Sequence, residues 1–104
     1  MSLERVCAVT DVPDGEARRF DLGGASVAVV HIGGDFYAIG DRCTHQDISL
    51  AEGEVDPARL QLECWKHGSC FSLVTGEPSA LPATKATPTY TVAVDGADVF
   101  VEID

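Results

Sequence analysis

Long apolar runs are missing from this chain. The longest, Ala25 to Ile32, falls far short of the roughly 20 residues a helix needs to cross a bilayer, so no membrane-spanning helix is expected. A leader is not expected either, because Met1-Ser2-Leu3-Glu4-Arg5 runs into no apolar stretch behind a basic start. Positive charge is scarce: 7 Lys and Arg stand against 17 Asp and Glu, a formal net charge of −10. Such a surface repels nucleic acid and anionic membranes and favours a basic protein partner. None of the 4 cysteines forms a Cys-x-x-Cys step, which excludes the usual dithiol redox motif. A phosphate-binding glycine loop, a nucleophile paired with a base, and an open metal position are also lacking, so an enzyme is not expected. No window of useful length shows a helical period.

What remains is strand and turn. The 104 residues, 45% of them hydrophobic, make one globular domain with little to spare for its core. Residues 5–9 form a short β-prone run, stopped by the turn Val12-Pro13-Asp14-Gly15. Residues 16–22 alternate imperfectly up to Gly23-Gly24. The valine-rich residues 26–32 then turn at Gly33-Gly34 into residues 35–39, a hairpin pattern. Residues 60–64 alternate cleanly and end on Cys64. Residues 89–94, the turn Asp95-Gly96 and residues 99–103 read as a closing hairpin, and residues 50–54 have room for one helical turn. Short strands separated by turns in this way predict an all-β protein, an antiparallel sandwich or barrel.

The chemistry is concentrated in Cys43-Thr44-His45 and Cys64-Trp65-Lys66-His67, with 18 residues between His45 and Cys64. Each half pairs a thiolate with an imidazole. Alternate residues of an extended segment face one side, so Cys43 and His45 can reach the same centre. The Cys-x-x-His step needs a tight turn, and Gly68 directly after His67 supplies the backbone freedom. Zinc fingers usually pair like with like, whereas mirrored Cys/His pairs suit a two-iron cluster, one iron taking both sulfurs and the other both imidazoles. A Cys2His2 zinc module uses the same residue types, and four buried residues without metal are the plainest alternative.

The segment from Cys43-Thr44-His45 through Cys64-Trp65-Lys66-His67-Gly68-Ser69 resembles the Rieske proteins, and the whole chain resembles the small Rieske ferredoxins that serve non-haem iron oxygenases. The resemblance continues through Phe71, Thr75-Gly76-Glu77-Pro78 and Leu81-Pro82-Ala83. It implies a [2Fe–2S] cluster bound by Cys43, His45, Cys64 and His67. It also implies a β base domain of residues 1–41 and 83–104, with a cluster-binding insert at about 42–82. The implied function is one-electron transfer, from an NAD(P)H-dependent flavin reductase to a terminal Rieske oxygenase or similar acceptor. The protein is expected to be a cytoplasmic monomer. A role beside iron–sulfur cluster assembly is the alternative such a resemblance also allows.

Other residues have quieter assignments. Cys7 is expected as a small core residue, and the isolated His31 as a non-ligand. Trp65 and Leu50 could shield a cluster or serve as ordinary core, and Pro82 could cap the site. Respiratory Rieske proteins join their two cluster loops by a disulfide, but residues 46–50 here contain no cysteine. The resemblance therefore leaves Cys70 a structural thiol, in keeping with a reducing compartment. Those proteins also carry Tyr where this chain has Phe71, so one hydroxyl donor toward the sulfur of Cys43 is missing and a lower potential is expected.

Overall fold

The computed structural model describes residues 2–22, 25–41, 49–65, 69–78 and 86–103. Among them ten strands follow in order: β1 (Ser2–Ala8), β2 (Ala17–Leu22), β3 (Ala25–Ile32), β4 (Asp35–Gly40), β5 (Val55–Asp56), β6 (Gln61–Glu63), β7 (Cys70–Ser72), β8 (Thr89–Tyr90), β9 (Val92–Asp95) and β10 (Asp98–Ile103). They form three sheets, ordered β1-β10-β9, β2-β3-β4-β8 and β5-β6-β7. Every strand pairing is antiparallel, as the sequence predicts. No described helix is long and apolar enough to cross a membrane.

The middle sheet separates two cores, and β3 shows why its sequence is valine-rich rather than alternating. Val27, Ala28, Val29 and Val30 are all fully buried. Successive side chains of a strand point to opposite faces. Ala28 and Val30 accordingly join one core with Ile39, Leu50, Leu62, Cys64 and Phe71. Val27 and Val29 join the other with Cys7, Val12, Ala38, Val99 and Val101. A strand covered on both faces has no solvent side to carry polar residues. Each valine so buried contributes roughly 1.5–3 kcal/mol.

Hairpin β3–β4 pairs Ile32 with Asp35 and Val27 with Gly40. Its turn relies on Gly33 at φ 63°, a conformation that glycine adopts without steric cost. The Asp14 carboxylate accepts the Gly33 amide at 2.7 Å, tying the preceding turn to this one. The expected turn at residues 50–54 is a 3-10 turn over Leu50–Glu52, closed by the Gly53 amide on the Leu50 carbonyl at 3.0 Å.

Three expectations need correction. Residue 9 does not extend the first strand: Val9–Asp11 is a 3-10 turn, and the Asp11 carboxylate caps it by accepting the Ala8 amide at 2.9 Å. Residue 60 does not begin the strand at 60–64, because Leu60 has φ 53°, outside the β region. Residues 89–94 are not one strand. Thr89 and Tyr90 pair with Ile39 and Ala38, whereas Val92 to Val94 pair with β10. The chain changes sheets at Thr91, as a corner between packed sheets requires. Strands β5 and β7 are too short to show a period and were not visible in the sequence.

Gly53 marks where the third sheet meets its supporting turn. A Cβ there would lie 1.6 Å from the Glu63 carbonyl oxygen, although its φ of −85° is ordinary. Gly53→Ala is therefore expected to destabilise by about 2–4 kcal/mol through backbone displacement. Gly34→Ala, where nothing lies within 4 Å, should stay within about 1 kcal/mol. Chemical denaturation of both variants tests this, and equal losses would refute the close approach.

Cys7 provides a pH test. Burial pushes its thiol pKa above the usual cysteine range, Asp11 raises it further, and Arg5 opposes them. The native state therefore disfavours the thiolate. The associated stability is fully present below the unfolded pKa and is lost as pH rises from there through the folded value. Native Cys7 should resist iodoacetamide at pH 9 and react once unfolded, read by mass spectrometry. Rapid native labelling would contradict the buried placement.

Candidate cofactor site

Strand β6 ends at Glu63, and Cys64 follows it directly. The Cys64 side chain is fully buried among Leu50, Leu62, Phe71 and Leu73. Its amide donates to the Ser69 carbonyl at 2.6 Å, and Glu63 pairs with Cys70 across β6–β7. The chain thus leaves at Cys64 and is back in the ladder by Cys70, with Ser69 buried. Between them Trp65 is 51% exposed, so it is not ordinary core. Leu50 and Phe71 are both fully buried in the core that contains Cys64.

Cys64 is the one of the four expected ligands that lies within the described residues. Cys43, His45 and His67 lie outside them, as do Gly68 and Leu81-Pro82-Ala83. Among the described residues no group of three or more His, Cys, Asp or Glu side chains is placed to hold a metal. The anchors on either side of the ligand segments are described, and they carry the geometry.

Asp41, at the end of β4, anchors the first segment. Its carboxylate is 1% exposed. It accepts the Ser49 hydroxyl at 2.5 Å and the Ala51 amide at 2.8 Å. The Asp41 carbonyl accepts the Leu50 amide at 2.8 Å, and its own amide donates to Ser26 of β3 at 3.0 Å. One residue therefore joins the chain before residues 42–48 to the chain after them. Arg19 lies 3.5 Å from the same carboxylate and 3.3 Å from Asp21. The Asp21 carboxyl is held below its usual pKa first by the Ser26 hydroxyl and then by Arg19, with desolvation opposing.

A further set of bonds ties these anchors to the stretch after β7. The Ser72 hydroxyl accepts the Val74 and Thr75 amides at 3.1 Å, and the Gly76 amide donates to the Ser72 carbonyl at 2.8 Å. Pro78 bridges back to Phe71. The Gly76 carbonyl accepts the Thr87 amide at 2.8 Å. The buried Thr87 hydroxyl donates to Gly40 at 3.2 Å, one residue before Asp41. Gly76 must be glycine: its φ is 78°, and a Cβ would stand 2.0 Å from the Thr87 carbonyl oxygen. Continuous hydrogen bonding thus runs from the Cys64 hairpin through Ser72, Gly76 and Thr87 to Gly40 and Asp41.

Sequence reading overlooked Asp41 and Thr87. Neither sits in a ligand motif, and their partners lie up to 47 residues away. The expectation of Cys7 as a small core residue is met. Cys7 lies in the other core. The His31 Nδ1–H donates to the Val12 carbonyl at 2.8 Å while the ring stacks on Phe36 at 4.1 Å between centroids. A carbonyl can only accept, so that nitrogen carries the proton.

The donor set and its surroundings fit an iron–sulfur group. A thiol buried in an apolar core at the mouth of a hydrogen-bonded turn can offer a shielded soft ligand. No buried side-chain nitrogen or oxygen among the described residues lacks a hydrogen-bond partner, so no orphan polar group competes for that place.

Comparison with known proteins agrees. The Rieske [2Fe–2S] domain profile matches residues 2–91. The chain is 43% identical over 97 residues to the 3-phenylpropionate/cinnamic acid dioxygenase ferredoxin subunit of Escherichia coli (strain K12), covering 93% of this chain and 90% of the relative. The homologue from Shigella boydii serotype 4 (strain Sb227) matches to the same extent. Among solved structures, the ferredoxin of carbazole 1,9a-dioxygenase from Nocardioides aromaticivorans IC177 superposes with a TM-score of 0.92 at 34% identity, covering 97% of each chain. A chain in a complex of reduced oxygenase and oxidized ferredoxin in carbazole 1,9a-dioxygenase gives 0.85 at 38% identity, covering 95% of this chain and 91% of that one.

Proposed function

Because the chain belongs to the Rieske [2Fe–2S] domain family, we propose that Cys43 and Cys64 hold the cluster as thiolates and His45 and His67 hold it as neutral imidazoles. Once bound, the cluster supplies a reversible one-electron store. The protein is an electron-transfer component, a ferredoxin, rather than a catalyst with a substrate of its own. The observation that carries the ligand assignment is the full burial of Cys64 at the mouth of its turn.

The chain's own residues do the remaining work. Leu50, Leu62 and Phe71 pack around Cys64 and keep water from that side of the thiolate. The Cys64–Ser69 backbone bond joins the two sides of the segment that contains His67. Residues 42–82 form the cluster-binding insert, supported by β5, β6 and β7 making a sheet of their own within that span. Residues 1–41 and 83–104 form the base.

The electron donor is a flavin-dependent ferredoxin reductase using NAD(P)H, and the acceptor is a terminal oxygenase. The dioxygenase ferredoxin subunits among the relatives and the solved oxygenase–ferredoxin complex support this pairing. The excess of acidic residues supports a basic docking face on each partner. The monomer works in the cytoplasm, a placement supported by the absence from residues 46–50 of the cysteine that respiratory relatives use for their bridge.

Metal content tests the assignment directly. The purified protein should contain iron and acid-labile sulfide in the equal amounts a [2Fe–2S] cluster requires, and Cys64→Ser should abolish stable assembly because a soft thiolate is lost. Stoichiometric zinc without sulfide would end this reading.

Phe71→Tyr tests what surrounds the sulfurs. Phe71 is fully buried in the core of Cys64, and a new hydroxyl with no acceptor would cost roughly 1–3 kcal/mol. A bond to a ligand sulfur instead favours the more negative, reduced state. If the two redox states differ in that bond by about 1 kcal/mol, the potential rises by on the order of 40 mV for one electron. Redox titration of both proteins at one pH reads this. A variant that retains its cluster with an unchanged potential would show that position 71 does not face a ligand sulfur.

A further inference from the structure

We propose that Asp41 is a positioning residue for the first ligand pair, clamping the chain on both sides of residues 42–48 so that Cys43 and His45 are presented in one arrangement. This rests on the reading of Cys43 and His45 as cluster ligands. The placement of Asp41 is unusual for a carboxylate. Charged side chains are almost never fully buried unless paired, yet this one is 1% exposed, and its ionic partner Arg19 is itself 51% exposed.

The burial is explained by what the carboxylate accepts. One oxygen takes the Ala51 amide at 2.8 Å. The other takes the Ser49 hydroxyl at 2.5 Å and faces Arg19 at 3.5 Å. Both hydrogen bonds reach across the ligand segment to its far side, and the Leu50 amide on the Asp41 carbonyl makes a third link in the same direction. Such bonds to an ionised acceptor are about twice as strong as neutral ones.

Arg19 is anchored in turn. It donates to Asp21 at 3.3 Å and to the Ser26 hydroxyl at 3.1 Å, and the Ser26 carbonyl accepts the Asp41 amide at 3.0 Å. The clamp is therefore fastened to β2 and β3 of the twice-covered central sheet. Cys43 follows Asp41 by two residues, so any shift at Asp41 passes to the ligand through the backbone. A shorter or uncharged side chain could not hold Ser49, Ala51 and Arg19 together.

The test uses the full chain with its cluster and three variants. Asp41→Asn keeps the shape but loses the charge and one acceptor. Ser49→Ala removes a single neutral donor and should not threaten folding. Asp98→Asn is the control: it removes one unit of charge beside Arg5, in a surface ion pair the clamp does not use. The readouts are the EPR g-values of the reduced cluster, the reduction potential, and the rate of iron loss to a chelator.

Asp41→Asn is expected to shift the g-values, raise the potential and speed iron loss by about tenfold, the factor expected for one lost charge-assisted hydrogen bond. Ser49→Ala should move the g-values and the loss rate in the same direction by less. Asp98→Asn should leave the g-values and the loss rate as in the wild type. Wild-type spectra and loss rates in both Asp41→Asn and Ser49→Ala would overturn the clamp while the cluster reading stood. If Asp41→Asn failed to fold, Ser49→Ala alone would decide by the same criterion. A wild-type protein without iron and sulfide would instead overturn the cluster reading, and the clamp with it.

Discussion

Strand β3 is covered on both faces, and the rest of the molecule is arranged around that constraint. Val27 and Val29 look into one core, Ala28 and Val30 into the other, and all four are inaccessible to water. A one-residue slip of β3 against β4 would exchange the two sets and place alanine where valine fills space. The register Val27↔Gly40 is therefore tightly specified. It sets where β4 ends, and with it the position of Gly40 and Asp41.

The site depends on that endpoint. Asp41 receives the far side of one ligand segment, and Gly40 receives the Thr87 hydroxyl that links it to Gly76 and the hairpin of Cys64. These links are mostly single hydrogen bonds of modest net strength. Their worth lies in joining three separate returns of the chain to one rigid sheet edge. A redox carrier benefits from such stiffness, because little reorganisation then accompanies the electron. The apolar packing of Leu50, Leu62 and Phe71 against Cys64 adds a dry boundary on the inner side.

The surface has a different character. Each arginine among the described residues lies beside a carboxylate: Arg5 by Asp98, Arg18 by Glu16, Arg19 by Asp21 and Asp41, and Arg59 by Asp56. The exposed pairs add little stability, about 0–1 kcal/mol each. They do neutralise cationic spots locally, so the remaining carboxylates present a field of one sign. Trp65, half exposed one residue after Cys64, gives that acidic exterior an apolar point close to the candidate ligand.

The sequence alone settled the strand class, the hairpin at Gly33-Gly34, the core role of Cys7, and the ligand motifs that carry the family resemblance. These are local signals: a run of valines, a turn residue, two ligand types at short spacing. It did not disclose the sheet change at Thr91, the two short strands β5 and β7, or the left-handed Leu60. Nor did it single out Asp41 and Thr87, which resemble any other polar residue beside a loop. Only the tertiary structure decided those, because a two- or three-residue strand has no period of its own. A buried carboxylate likewise acquires its role only when Ser49, Ala51 and Arg19, none of them its neighbour in the chain, are folded against it.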